Sequence, residues 1–62
     1  MFVKGDEVTF SHWSERIGGL KENSGVIMRV LPDKKYMIKN VLGYYTVSES
    51  AITRRINVMH KL

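Results

Sequence analysis

Cysteine is absent from this chain, which removes the disulfides and the thiolate zinc sites that commonly stabilise domains of its size. The two histidines, His12 and His60, lie at opposite ends of the sequence with no second ligand at metal spacing. Both are read as exposed side chains, and no metal site and no cofactor are expected. Long apolar runs are also missing, so nothing is long enough to span a bilayer. Met1-Phe2-Val3 passes directly into Lys4, Gly5 and Asp6 without the apolar core of a signal peptide, so a cytoplasmic protein with no membrane partner is expected. Proline occurs once, at Pro32.

Acidic residues are scarce in the second half. Residues 1–31 balance Lys4, Arg16, Lys21 and Arg29 against Asp6, Glu7, Glu15 and Glu22, so the net +4 arises entirely from residues 32–62. There Lys34, Lys35, Lys39, Arg54, Arg55 and Lys61 face only Asp33 and Glu49. Such asymmetry favours an anionic partner, or serves solubility alone. At 62 residues the chain makes one domain. A chain this short buries only about 60% of its unfolded surface, which leaves a thin core.

What is present is strand-like. Val8 and Phe10 alternate with Glu7 and Thr9, the pattern of a half-buried first strand after Gly5-Asp6. Ser11 to Ser24 shows no clean period and is read as a long loop, of the kind that is functional or folds back as an irregular hairpin. A second strand runs from about Ser24 to Leu31. Ile27 and Val30 are three apart, so a bulge near Met28 is expected to turn both inward. Gly25 marks a bend or a close approach to another strand. Leu31 to Lys35 is the hairpin loop, Tyr36 to Asn40 the third strand, Gly43 a turn, and Tyr44 to Val47 the fourth strand. Ser48 is placed to cap a short 3₁₀ turn, followed by a fifth strand over Ile52 to Ile56. Val58, Met59 and Leu62 suit a tail that forms a helical turn or a short strand, or frays. The expected core is Val8, Phe10, Ile27, Val30, Tyr36, Ile38, Val47 and Ile52.

Five short strands, a long first loop and a 3₁₀ turn before the last strand resemble the SH3-like barrel over about residues 3–56. The expected fold is therefore all-β, one small five-stranded barrel over 1–56 with a short tail over 57–62. Gly5-Asp6-x-Val8, then Gly25-x-Ile27-x-x-Val30-Leu31-Pro32, then Tyr36-x-Ile38 resemble the KOW-type barrels of ribosomal and transcription-elongation proteins. That resemblance implies a hairpin that contacts RNA or protein. Gly5-Asp6-Glu7-Val8 and the segment Ala51 to Asn57 are also similar to the plasmid-borne type II dihydrofolate reductases. The Val-Gln-Ile-Tyr pore segment of that family has no counterpart, because Gly43-Tyr44-Tyr45-Thr46-Val47 stands in its place. Its activity is not carried over. Small uncharacterised bacterial and phage SH3-like proteins match the length and composition as well.

No positioned nucleophile, acid–base pair or phosphate loop is legible, so no residue is expected to be catalytic. Gly18-Gly19 lacks phosphate-loop spacing and reads as a turn, and Ser11, His12, Ser14 and Glu15 are too close in sequence to make a triad. Lys35, Met37 and Lys39 should point outward if Tyr36 and Ile38 point inward. With Lys34, Arg54 and Arg55 they make a candidate nucleic-acid surface, or a solvated strand face. Tyr44 and Tyr45 should face opposite ways, one into the core and one to the surface near Trp13. Trp13 either covers the core or offers a contact to a peptide or a base. The expectation is a non-enzymatic, nucleic-acid-associated binding module. The alternative is a protein-interaction module, such as a phage or prophage regulator of a host protein. It could equally be a subunit that forms homo-oligomers through barrel edges and the Val58-Met59-Leu62 tail.

Overall fold

The structure, a computed structural model, describes residues 1–56, and the readings made for Val58, Met59, His60 and Leu62 lie outside the described residues. Strands β1 (Glu7–Ser14), β2 (Gly19–Leu31), β3 (Lys35–Asn40) and β4 (Gly43–Ser48) follow one another as antiparallel neighbours. A 3₁₀ turn at Glu49–Ala51 then leads into β5 (Ile52–Arg55). That last strand returns to the free side of β1, giving one five-stranded antiparallel sheet in the order β4-β3-β2-β1-β5. The protein is all-β. No helix among the described residues is long and apolar enough to cross a membrane.

Side-chain alternation drives the sheet to curl around one core. Val8 and Phe10 of β1, Ile27 of β2, Tyr36 and Ile38 of β3, Val47 of β4 and Ile52 of β5 meet in a single buried cluster. Phe2, Tyr45 and Ala51 pack against its margin. In β1 and β3 the inward residues recur at a period of two, so the outward residues share the opposite face.

Two local devices set the register. Gly25 lies opposite Val8, and a Cβ there would stand 2.6 Å from both Ile38 Cγ2 and the Lys39 carbonyl oxygen. Only glycine lets β2 lie this close to β3. Beyond it the pairing passes from Ile27↔Ile38 to Arg29↔Met37, so Met28 is the extra residue of a β-bulge. The bulge sets Val30 opposite Tyr36, on the inward face as expected, yet Val30 is 56% exposed and does not join the core. It sits at the open end of the sheet, beside Phe2 and Leu31, where no further strand among the described residues covers it.

The stretch from Ser11 to Ser24 is not a loop. Ser11 to Ser14 continue β1, Gly19 onward begin β2, and the two pair in unbroken register from Glu7↔Val26 to Ser14↔Gly19. A tight turn closes the arm, with Gly18 at φ 68° and its N–H donating to the Ser14 carbonyl at 2.9 Å. Hydrophobic period fails here because the arm extends past the core, so neither face needs to be apolar throughout. Ser48 does precede the 3₁₀ turn, but its hydroxyl meets Ser50 at 3.0 Å and makes no cap to the backbone.

The segment before β1 is held by Asp6, which is buried. Its carboxylate accepts the Val3 N–H at 3.0 Å and pairs with Arg55 at 3.3 Å, while its carbonyl accepts the Ile27 N–H at 2.8 Å. A buried carboxylate is tolerable when partners such as these replace water.

Candidate functional site

Lys35, Met37 and Lys39 alternate with the buried Tyr36 and Ile38 and so line the outer face of β3. Directly opposed residues of an antiparallel pair share a face, which adds neighbours on both sides. Arg29 of β2 and Thr46 of β4 flank Met37, while Val26 and Tyr44 flank Lys39. The Lys39 ammonium lies 5.7 Å from the centroid of the Tyr44 ring. Met28, Arg29, Met37 and Tyr44 line an open concavity of about 480 Å³ on this face. Lys35 and Lys39 stand four residues apart, or about 13 Å along the strand at roughly 3.3 Å per residue. Among the described residues, Arg29, Lys35 and Lys39 form no ion pair.

The other cations stand elsewhere. Lys34 occupies the β2–β3 turn, where its carbonyl accepts the Glu49 N–H at 2.8 Å. Arg54 lies opposite Thr9 on the outer face of β5, with β1 and β2 between it and β3. Arg55 lies opposite the buried Val8, on the other side of the sheet. Its guanidinium pairs with Asp6, donates to the Met1 carbonyl at 3.0 Å and sits 5.3 Å from the Phe2 ring centroid. Arg55 therefore holds the N-terminal segment.

The two tyrosines of β4 do face opposite ways. Tyr45 packs inward, with its ring 5.0 Å from both Phe10 and His12, whereas Tyr44 is exposed on the outer face. Trp13 lies opposite Leu20 on the β1–β2 arm and is 62% exposed, so it does not cover the core. With Ile17 in the turn, these residues give the arm an apolar tip. No ring contact joins Trp13 to Tyr44 among the described residues. His12, expected to be exposed, is half-buried on the inner face of the arm, between Phe10, Tyr45 and Asn23. Among the described residues no three His, Cys, Asp or Glu side chains converge as a metal site would require.

Sequence reasoning passed over Arg29 as a site residue. Simple alternation from Ile27 points Arg29 inward, and only the extra residue at Met28 turns it out beside Met37. The uneven Ile27–Val30 spacing was the available signal. A network around Tyr36 was equally hidden, because its members are far apart in sequence. The Tyr36 hydroxyl accepts the Phe2 N–H at 3.3 Å and donates to Glu49 Oε1. That bond, with burial, holds the Tyr36 phenol above its ordinary pKa. The same bond, with smaller contributions from the terminal ammonium and Lys34, holds the Glu49 carboxyl below its ordinary value.

No protein-family model, no curated protein and no solved structure matches the chain.

Proposed function

We propose that the chain is a small non-enzymatic binding module that holds single-stranded nucleic acid on the outer face of β2, β3 and β4. One observation carries this reading: Arg29, Lys35 and Lys39 share a face with the exposed Tyr44 ring and the Met28–Met37 concavity. Cations free of ion pairs supply affinity for phosphate, and an aromatic face accepts a base of any sequence. Arg54 extends the charge from across the sheet, while Lys34 lies at the hairpin end. We take the barrel as SH3-like and KOW-like in its β2–β3 hairpin, and the protein as acting in the cytoplasm, where a cysteine-free chain loses nothing.

Fluorescence anisotropy with labelled homopolymer DNA and RNA strands tests the reading. If three phosphates are neutralised, affinity should fall about 20-fold between roughly 50 and 200 mM salt, from a slope of about −0.7 per contact. Absence of binding at low salt, or binding indifferent to salt, removes it.

A second reading places a protein partner on the β1–β2 arm, where Trp13, Ile17 and Leu20 are exposed. Exposed aromatic and aliphatic side chains on a protruding element concentrate binding energy in protein interfaces. A stoichiometric protein recovered after nuclease treatment, and lost on Trp13→Ala, favours this second reading.

A further inference from the structure

Among the described residues, strand β4 forms an edge of the sheet, hydrogen-bonded only to β3. Alternate residues of an edge strand aim their N–H and C=O groups away from the sheet. Among the described residues, no backbone group beyond the β3 ladder bonds to β4. Edge strands are ordinarily blunted by charge, proline or a bulge. Gly43–Ser48 has none of these: it reads Gly-Tyr-Tyr-Thr-Val-Ser and pairs with β3 without a register shift. The other free edges are protected. β5 carries Arg54 and Arg55, the arm half of β2 carries Lys21 and Glu22, and the arm half of β1 is four residues running into Glu15 and Arg16.

We propose that β4 is the edge at which two copies of this chain pair, antiparallel about a two-fold axis, into one continuous sheet. The second copy is the occupant that charge selects. A two-fold interface sets the same strand against itself, so any charge on it meets its own sign. Uncharged β4 meets its copy without repulsion, whereas β5 would oppose arginine to arginine. Face alternation then restricts the register. An axis normal to the sheet keeps the outer face outer in both copies, so opposed residues must come from the same face. An axis midway between Tyr45 and Thr46 breaks that condition. Axes through single residues satisfy it, and of these the one through Thr46 sets Tyr44 against Ser48 outside and Tyr45 against Val47 inside. Tyr45 with Val47 is an aromatic–β-branched pair of the kind that stabilises sheets. The pairing would also cover the half-exposed Tyr45 at the margin of each core.

The proposal stands apart from nucleic-acid binding and is tested on the full chain without any ligand. Sedimentation over a range of concentrations should show the 7.2 kDa chain passing to twice its mass. Thr46→Lys should weaken association about tenfold or more while leaving the circular dichroism spectrum unchanged. Because the chain has no cysteine, Thr46→Cys introduces a single thiol on the proposed axis. Mild oxidation should convert that variant to a covalent dimer that reductant reverses, whereas Ser11→Cys on the arm should remain monomeric. A monomer at every concentration overturns the proposal. So does a dimer that Thr46→Lys leaves intact, or equal cross-linking of the two thiols.

Discussion

Tyr36 donates its hydroxyl hydrogen to Glu49 Oε1 at 2.8 Å, joining the third strand to the 3₁₀ turn that precedes the last. The Glu49 carboxylate also lies 3.7 Å from the Met1 ammonium, and the Glu49 N–H donates to the Lys34 carbonyl at 2.8 Å. Three separate segments are thus tied at one end of the sheet, around a phenol whose ring also meets Phe2 edge-on at 5.7 Å.

This pair predicts a pH profile with two limbs. Glu49 is held below its ordinary value of 4.5, so its contribution is complete above that pH and is lost as pH falls through the lowered value. Tyr36 is held above its ordinary 10.0, so its contribution is complete below that pH and is lost as pH rises through the raised value. Thermal melts of Tyr36→Phe should show both limbs flattened relative to the parent. An unchanged acid limb in that variant would remove the hydrogen bond as the cause of the Glu49 shift.

Gly25→Ala should destabilise the fold by about 1–3 kcal/mol, the usual cost of forcing an extra carbon into a packed site. The Cβ would press on the Lys39 carbonyl, which is backbone and cannot swing aside, as well as on Ile38 Cγ2. Denaturant titration measures the loss. A variant as stable as the parent would mean that β2 and β3 can separate without penalty.

Lys34→Gly should have the opposite sign. Asp33 and Lys34 both adopt left-handed backbone, with φ of 64° and 56°. Left-handed backbone costs an ordinary L-residue roughly 1–2 kcal/mol, and glycine escapes this penalty. Glycine also loses more backbone entropy on folding, so a net gain of about 0.5–1 kcal/mol is expected. The Glu49 N–H bond to the carbonyl at position 34 should survive, since it uses only backbone.

Alternating apolar residues made the strands over Val8–Phe10, Tyr36–Ile38 and Tyr44–Val47 legible, because each has one face on the core and the period survives in the sequence. The arm from Ser11 to Ser24 was not legible, since strands that pair beyond the core have no buried face to mark them. Val30 shows a different limit: its direction followed from the bulge, but its burial depended on whether another element covers that end. For the candidate surface, the outward Lys35 and Lys39 followed from alternation. Arg55 did not separate from Arg54 in the sequence, because its role depends on a buried carboxylate 49 residues away at Asp6.

The basic residues should therefore divide into two functional groups. Lys39→Ala should leave stability within about 0.5 kcal/mol, as is usual for an exposed strand lysine. It should weaken single-strand binding uniformly across sequences and make the salt dependence shallower by about 0.7 per lost phosphate contact. Arg55→Ala should do the reverse. It removes a charge-assisted bond to the buried Asp6, and with the arginine half-exposed the expected cost to stability is about 1–2 kcal/mol, with nucleic-acid affinity retained. Tyr44 separates stacking from charge on the first surface. Tyr44→Ala should cost about 1–3 kcal/mol of binding with an unchanged salt slope, because it removes a ring and no cation. Tyr44→Phe keeps the ring and should bind like the parent. If Tyr44→Phe instead loses as much as Tyr44→Ala, the hydroxyl and not the ring makes the contact. Stacking would then no longer explain how this face takes hold of a base.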